Sequence, residues 1–347
     1  MDKPVGHKRR ARYQGTHPKS FKGKYKELEP EKYGETIAKI IQKGHTPAGM
    51  HISICVDEIL EILQITPGQA GLDATLGYGG HTLEMLKRLE GSGHLYALDV
   101  DPIELVKTKN RLQKLGYGPD VLTARQLNFA NIDQAAPANS LDFVLADLGV
   151  SSMQIDNPER GFTYKREGPL DLRLNPEEGY TAADRLRTIS GYELEGILIE
   201  NADEPYAREI SSAIVSKIKK GVDVTTTTLL REIIGEALSF IPANQRKDAI
   251  NKASQRTFQA LRIDINHEFD ALSAFLEKLP SVLKSGGRVA ILTFHSGEDR
   301  LVKQSFKSLL HAGIYSAAAR NVIRASAEEC ARNSRARSAK LRWAVKA

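Results

Sequence analysis

The chain lacks several features that mark large classes of proteins. Cys55 and Cys330 are the only cysteines among 347 residues, too few for a disulfide framework or a cysteine-based metal cluster. No apolar run approaches the ~18 residues that a membrane-spanning helix needs. The N-terminus is polar and basic, without the apolar core of a secretory signal. We therefore expect a cytoplasmic protein with no metal site and no contact with a membrane.

Positive charge is concentrated at the N-terminal end of the chain. The net charge is +6, and residues 1–50 contain 12 Lys and Arg against 5 Asp and Glu, so the rest of the chain is close to neutral. A basic extension on a neutral body favours a polyanionic partner such as nucleic acid, and a solubilising tail is the alternative. Because residues 1–26 also lack apolar periodicity, we expect residues 1–49 to form a partly disordered extension with a short helix at 31–43.

Strand-like and helix-like segments alternate over the first half of the body, and the alternation resumes near the C-terminus. Strands separated by helices pair in parallel through right-handed crossovers, so this pattern predicts an open α/β sheet. Between the two parts, residues from about 180 to 275 read as one helix after another. The predicted strands are 71–76, 94–100, 121–127, 142–148, 287–294 and 341–345, with helices at 80–90 and 102–115.

Glycine and polar residues follow the predicted strands at the points where those strands end. In an open α/β sheet, ligands bind beyond the carboxyl ends of the strands. Gly77, Gly79 and Gly80 allow a tight turn into a helix whose N-terminus attracts negative charge. Asp99 at the end of the second strand can accept ribose hydroxyls or, as the structural alternative, cap a helix. Phe129 after the third strand can stack on an adenine ring.

These residues together favour S-adenosylmethionine as the cofactor. The glycine spacing matches neither the Gly-x-Gly-x-x-Gly of dinucleotide-binding proteins nor the Gly-Lys-Ser/Thr of phosphate loops. Asp147 ends the apolar fourth strand, where methyltransferases that modify exocyclic amines usually carry Asn/Asp-Pro-Pro-aromatic. Leu-Gly-Val follows Asp147 here, so the position fits amine methylation although the motif itself is absent.

Two further polar stretches lie at 156–173 and 294–300. We expect both to meet over the same strand ends, which makes Asp171 and His295 candidates for contacting a reacting group together with Asp147. The structural alternatives are that the charged residues of the first stretch form surface ion pairs of little energetic value, and that His295 is an ordinary hydrogen-bonding residue.

Seven segments, which together span about 50–346, occur in the order found in one protein family. They resemble the MraW/RsmH methyltransferases, which modify N4 of a cytidine in the decoding region of 16S ribosomal RNA. One departure is Gly297, where the family usually has leucine. The matching segments are Asp73-x-Thr-x-Gly-x-Gly-Gly-His81, Asp147-Leu-Gly-Val-Ser-Ser-x-Gln154, Glu159-Arg-Gly-Phe162, Gly168-Pro-Leu-Asp-x-Arg173, Arg256-Thr-Phe-Gln-Ala-Leu-Arg-Ile263, Phe294-His-Ser-x-Glu-Asp-Arg300 and Asn333-x-Arg-Ala-Arg-Ser-Ala-Lys-Leu-Arg342.

The segment pattern and the resemblance predict an α/β fold with a Rossmann-like class I methyltransferase sheet and an inserted all-helical domain. The expected sheet domain comprises residues 50–157 and 263–347, and the expected insertion, at 158–262, helps to hold RNA. The resemblance implies S-adenosyl-L-methionine as cofactor and 16S rRNA or the small ribosomal subunit as partner. Whether the chain forms a homodimer is left open.

The resemblance also assigns roles to individual residues, and those of His81 and Gln154 rest on it alone. Two other interpretations stay open: a methyltransferase acting on another RNA or on DNA cytosine, and a non-catalytic ribosome-assembly factor. The expected cofactor contacts are Gly79, Gly80, His81, Asp99, Phe129, Asp147 and Gln154. The candidates for contacting the amine are Asp147, Asp171 and His295. The candidates for contacting RNA are Arg160, Arg173, Arg300, Arg335 and Arg337.

Overall fold

A seven-stranded sheet runs through residues 53–347, the part of the chain that the structure, a computed structural model, describes. The strand order is β3-β2-β1-β4-β5-β7-β6. Strands β1 to β5 are parallel, whereas β7 pairs antiparallel with both β5 and β6. The strands are β1 Ala70–Asp73, β2 His94–Asp99, β3 Leu122–Gln126, β4 Leu141–Asp147, β5 Leu283–Thr293, β6 Tyr315–Ala318 and β7 Lys340–Lys346. This is the sheet of class I methyltransferases, so the predicted fold class is confirmed. The predicted N-terminal extension and its helix at 31–43 lie outside the described residues.

Helices cover both faces of this sheet and fill the chain between β4 and β5. None of the helices within 53–347 combines the length and the apolar character needed to cross a membrane. The helices are α1 Val56–Leu63, α2 Gly80–Leu89, α3 Pro102–Lys114, α4 Ser152–Asp156, α5 Ala182–Thr188, α6 Gly191–Ala202, α7 Ala207–Lys219, α8 Thr227–Ala237, α9 Ala243–Ile265, α10 Glu268–Val282, α11 Ser296–His311 and α12 Ala327–Arg332.

The central strand β4 shows why the sheet is buried on both sides. Successive side chains of a strand point to opposite faces. Phe143 and Leu145 pack into the hydrophobic cluster on one face, and Val144 and Ala146 pack into the cluster on the other. All four are fully buried. The apolar run predicted as the fourth strand is therefore continuous rather than alternating, as expected for a parallel strand covered on both faces.

The helices α5 to α9 have a hydrophobic core of their own. A third cluster extends along the chain from Phe162 to Leu261, and it includes Leu194, Ile210 and Leu230 from three different helices. The helical run predicted for about 180–275 is present, and it separates β4 from β5. The domain boundaries at 158 and 262 stay a prediction.

The carboxyl ends of the strands bring the polar residues to one edge of the sheet. Asp73 at the end of β1 lies opposite Leu145 of β4, two residues before Asp147. Asp147 in turn lies opposite Leu292 near the end of β5. Strand β1 ends earlier than the predicted residue 76, because the Asp73 carboxylate accepts the Thr75 N–H and starts a turn.

Candidate active site

The turn after β1 depends on glycine at two positions. Gly77 and Gly79 have φ angles of 47° and 67°, in the left-handed region that favours glycine. A Cβ at position 79 would also lie 2.8 Å from the methyl carbon of Thr108. Gly79 is the N-cap of α2 and makes no side-chain cap, so the first N–H groups of α2 face the sheet edge without an internal partner. Such a helix start attracts an anionic group.

Asp73 fixes this turn from inside the protein. Its side chain is buried, and it accepts hydrogen bonds from the Thr82 hydroxyl at 2.6 Å and the Thr75 N–H at 3.0 Å. The Thr75 hydroxyl accepts the Asp147 N–H at 2.7 Å. Asp73 therefore positions the glycine turn, and Thr75 ties that turn to the end of β4.

Asp99 holds the second strand end to the same turn. Its two carboxylate oxygens accept the N–H of Gly77 at 2.7 Å and the N–H of Asp101 at 2.9 Å. The helix-cap alternative for Asp99 is wrong, because Asp101 is the N-cap of α3. Burial raises the pKa of Asp99 to about 6. Each carboxylate oxygen has a second lone pair, so Asp99 keeps acceptor sites for a ligand.

His81 and Asp147 meet where the turn and β4 come together. His81 Nε2 lies 3.5 Å from Asp147 Oδ2. Among the described residues, His81 Nε2 and Asp147 Oδ1 are buried atoms without a hydrogen-bond partner, which is uncommon and leaves both atoms able to bind a ligand. Burial lowers the pKa of His81, but the Asp147 carboxylate outweighs it, so this pKa lies above its ordinary value.

This set of groups fits S-adenosylmethionine. Asp99 offers acceptors for ribose hydroxyls, and the start of α2 offers N–H groups for the carboxylate of the amino-acid moiety. The unpartnered atoms of His81 and Asp147 lie beside that turn and supply further donors or acceptors. Phe129 begins a 3-10 helix after β3, where its ring packs edge-on against Phe275 at 5.3 Å. Its stacking on adenine stays a prediction.

Gln154 and Arg160 converge on a buried carboxylate that no sequence motif indicated. Asp101 is completely buried, and its Oδ2 accepts from Gln154 Nε2 at 2.9 Å and from Arg160 Nη1 at 2.6 Å. The other amide atom of Gln154 accepts the Ser151 N–H, which completes a capping box on α4. Both side chains thus hold the loop after β4 against the start of α3. Their predicted contacts with cofactor and RNA stay predictions.

Asp171 forms a two-point ion pair with Arg173. The Arg173 Nε lies 2.7 Å from one carboxylate oxygen and Nη2 lies 2.9 Å from the other. Arg160 Nη2 donates to the backbone carbonyls of Arg173 and Leu174, which links this pair to Asp101. Arg160 therefore connects the Asp171–Arg173 pair to the start of α3. The expected meeting of the stretches 156–173 and 294–300 stays a prediction.

A strained turn lies between Asp171 and Arg173. Leu172 has a φ angle of 65°, a conformation that costs free energy for any residue other than glycine. The side chain of Asn266, just after α9, binds this turn at both ends. Its Nδ2 donates to the Leu172 carbonyl at 2.8 Å, and its Oδ1 accepts the Leu174 N–H at 2.7 Å. Asn266 was not singled out from the sequence, because 94 residues separate it from Leu172.

Comparison with known proteins identifies the family. The sequence model that describes the MraW methylase family matches residues 48–347 of this chain. The chain belongs to the MraW methylase family. It is therefore a methyltransferase that uses S-adenosylmethionine, and the predicted resemblance is confirmed.

Three relatives of the chain carry closely similar names. "Ribosomal RNA small subunit methyltransferase H 1" of Lachnoclostridium phytofermentans is 70% identical over 98% of this chain and 93% of that protein. "Ribosomal RNA small subunit methyltransferase H 2" of Alkaliphilus metalliredigens is 68% identical over 98% and 97%. A protein of Agathobacter rectalis with the first of these names is 61% identical over the full length of both chains.

His295 is held by a buried glutamate. It is the N-cap of α11, and its Nε2 lies 3.1 Å from Glu298 Oε1. Burial raises the pKa of Glu298, but the interaction with His295 outweighs it, so this pKa lies below its ordinary value. Gly297, where the MraW family usually has leucine, leaves room for Phe269, whose ring lies 5.7 Å from that of His295. His295 thus has a structural role here, and its contact with the amine stays a prediction.

The remaining candidate arginines differ in how much of their charge is paired. Arg335 lies 3.2 Å from Asp156. Arg300 and Arg337 are exposed, and no carboxylate within residues 53–347 forms an ion pair with either of them. These two are therefore the more available cations for an RNA phosphate, and the RNA contacts of all three stay predictions.

Proposed function

We propose that this methyltransferase modifies the N4 amine of a cytidine in the 16S rRNA of the small ribosomal subunit. The observation that carries the proposal is the 61–70% identity, over nearly the whole chain, with three proteins named ribosomal RNA small subunit methyltransferase H. The cofactor edge of the sheet and the Asp171–Arg173 pair support it, because both are intact in this chain.

Alignment is the main requirement of this reaction. The cytosine amine is a poor nucleophile, because its lone pair is delocalised into the ring. S-adenosylmethionine, when bound, supplies an already activated methyl group. Holding two reactants in line is worth ~7–11 kcal/mol of the barrier. The strand-end residues provide the cofactor side of this alignment, and the segment with Asp171 provides the base side.

Asp147 and Asp171 are the proposed acceptors for the amine protons. A carboxylate that accepts a hydrogen bond from the amine localises its lone pair on nitrogen. A base has to take up the proton only as the new bond forms or afterwards. The side chain of Asp147 is partly exposed, and one of its oxygens has no partner within the described residues. His295 is the third candidate, although Glu298 already holds it.

RNA binding is proposed to involve the helical insertion and the exposed arginines. The target base has to leave its stack to reach the strand ends, at a cost of a few kcal/mol. Lys and Arg contacts to phosphates offset such a cost and make the affinity dependent on salt. The chain is also proposed to act in the cytoplasm, where ribosomal subunits are found, and a homodimer stays a prediction.

Purified components test the proposal. Small subunits that lack the modification are incubated with the enzyme and with S-adenosylmethionine labelled in its methyl group. We expect labelled N4-methylcytidine after digestion of the 16S rRNA to nucleosides, and no such product with Asp147→Ala. Label in another RNA, or in DNA cytosine, would show that the substrate is a different nucleic acid. Binding of the small subunit without methyl transfer would favour a non-catalytic assembly factor.

A further inference from the structure

A basic pocket lies on the helical insertion, apart from the cofactor edge of the sheet. It is an open cavity of about 290 Å³ between α8 and α9. Three of its five lining residues are cationic, and none is acidic. The lining residues are Arg231, Ala243, Arg246, Lys247 and Ile250.

The three cations of this pocket form no ion pair within the part of the chain that the structure describes. Arg231 Nη2 donates to the amide oxygen of Asn251 at 3.0 Å, and Arg246 Nε donates to the Ile241 carbonyl at 2.9 Å. Both partners are neutral, so they orient the guanidinium groups without cancelling their charge. The Nε of Arg231 is buried without a partner. Among the described residues, no carboxylate forms an ion pair with Lys247.

The start of α9 adds to this positive potential. Its N-cap is Pro242, which makes no side-chain cap, and its first turn contains no acidic residue. The first N–H groups of a helix carry a partial positive charge and bind anions well. Arg246 and Lys247 lie within the second turn of the same helix. The pocket thus combines a helix start with three side-chain cations.

Contacts join the pocket to the segment that carries the Asp171 motif. The Arg231 guanidinium lies 5.9 Å from the centre of the Tyr164 ring. In the same helix, the Thr227 hydroxyl donates to the Arg166 carbonyl at 2.7 Å, and the Thr227 N–H donates to the Gly168 carbonyl at 3.0 Å. A ligand in the pocket would therefore be held on the element that also positions residues 164–168, just before Asp171.

We propose that this pocket binds a backbone phosphate of the substrate RNA. Guanidinium groups bind phosphate through two directed hydrogen bonds, and the lysine adds a mobile point charge. The inference rests on the proposed function, since an RNA substrate is what brings a chain of phosphates to the insertion. The pocket then anchors the RNA at a distance from the target base, without touching the cofactor.

Charge removal at Lys247 tests the pocket, with a matched control on the same helix. Lys247→Gln removes one pocket cation that makes no ion pair. Lys252→Gln removes an exposed cation that lies outside the pocket and 2.8 Å from Asp248. Binding of the full-length variants to a fluorescent small-subunit rRNA fragment is measured over a series of salt concentrations. A second variant, Arg246→Gln, removes another pocket cation.

We expect Lys247→Gln to bind the RNA several-fold more weakly, with a salt slope smaller by about 1. Methyl transfer at saturating RNA is unchanged, because the pocket contacts neither cofactor nor target base. Arg246→Gln behaves in the same way, and Lys252→Gln binds like the wild type. Equal affinities and slopes for Lys247→Gln and Lys252→Gln would overturn the inference.

Methylation by the wild type separates this inference from the proposed function. If the wild type methylates the rRNA and the pocket variants bind normally, only the phosphate site is wrong. If the wild type forms no N4-methylcytidine on any small-subunit rRNA, the proposed function itself is wrong. Thermal melting of each variant shows whether weaker binding comes from unfolding, and a melting temperature equal to that of the wild type assigns the loss to the pocket.

Discussion

Four aspartates near the cofactor edge have different roles because their surroundings differ. Asp73 and Asp101 are buried, and their oxygens are occupied by hydrogen bonds from the protein itself. Asp99 and Asp147 are only partly buried. Each Asp99 oxygen accepts one N–H and keeps a second lone pair, and Asp147 Oδ1 has no partner within residues 53–347. The first two therefore hold the site together, and the last two are available to a ligand.

The raised pKa of Asp99 makes cofactor affinity depend on pH. The ionised carboxylate accepts ribose hydroxyls, whereas protonation removes part of that capacity. With a pKa of about 6 in the free protein, Asp99 is ionised above pH 7 and mostly protonated at pH 5. We expect the Kd for S-adenosylmethionine, measured by calorimetry, to rise on the order of tenfold between pH 7.5 and pH 5.

Asp99→Asn is the control for this pH effect. The amide does not titrate. We therefore expect the variant to bind S-adenosylmethionine more weakly than the wild type at pH 7.5, with a Kd that changes little toward pH 5. Any remaining pH dependence in this variant belongs to His81, whose pKa is also raised. An equal wild-type Kd at pH 5 and pH 7.5 would contradict the role assigned to Asp99.

Asp171→Asn separates base-side chemistry from cofactor binding. The amide keeps the shape of the side chain but loses its charge and its second acceptor oxygen, so the amine is held less well. We expect turnover to fall at least about tenfold with an unchanged Kd for S-adenosylmethionine. The matched control is Asp264→Asn, which also removes a carboxylate paired with an arginine of the insertion, at 2.9 Å from Arg185. Loss of cofactor affinity in Asp171→Asn would reassign this residue to the cofactor site.

At the scale of elements, the end of α9 and the Asp171 motif depend on each other. Asn266 supplies both a donor and an acceptor to the turn that contains the strained Leu172. Without these two hydrogen bonds, the turn is expected to relax toward an ordinary backbone conformation. Asp171 and Arg173 on either side of Leu172 would then shift away from the positions they hold in the native protein.

Asn266→Ala tests this positioning role. We expect a loss of stability of about 1–3 kcal/mol from the unpaired backbone groups, together with a fall in kcat per folded molecule and an unchanged Kd for S-adenosylmethionine. Asn266→Asp keeps the acceptor for the Leu174 N–H and should restore part of the activity. A variant that loses stability but keeps the wild-type kcat would show that Asn266 is only structural.

The strands that sequence reasoning located are those with strong apolar runs next to glycine or acidic residues. Strand β4 is the clearest case, since burial on both faces produces a continuous run. The edge strand β6 was missed because Tyr315–Ala318 is short and has little apolar character. Strand β5 begins at Leu283, four residues before the predicted start at 287.

The part of the candidate site that residue patterns predicted and the structure brings together is formed by residues that end a strand or follow it directly. The glycine turn, Asp99 and Asp147 belong to that group. Asp101 and Asn266 were missed because their partners, Gln154 and Leu172, lie 53 and 94 residues away in the sequence. One sequence carries no signal of such pairing. The same holds for Gly168, where a Cβ would lie 2.0 Å from the Pro158 carbonyl oxygen.

At the scale of the whole molecule, cofactor binding and RNA binding are expected to reside in different parts. The sheet edge carries the cofactor groups, and the helices α5 to α9 carry their own core and the basic pocket. The basic N-terminal extension, which lies outside the described residues, is the third part and the one with the largest excess of positive charge.

Deletion of residues 1–26 tests the contribution of that extension. We expect weaker RNA binding and a smaller salt slope, because fewer counterions are released when fewer cations contact phosphate. Cofactor affinity should not change, since the cofactor groups follow the strands. The measurement is RNA affinity at several salt concentrations for the full-length and shortened chains. An unchanged salt slope would show that the extension does not contribute to RNA binding.

The central claim is that this enzyme forms N4-methylcytidine in 16S rRNA. Mass spectrometry of nucleosides from purified 16S rRNA, taken from cells with and without the gene, tests it most directly. The account predicts that the N4-methylcytidine signal falls when the gene is absent and returns with the wild-type gene but not with Asp147→Ala. An identical nucleoside profile in the two strains would contradict it.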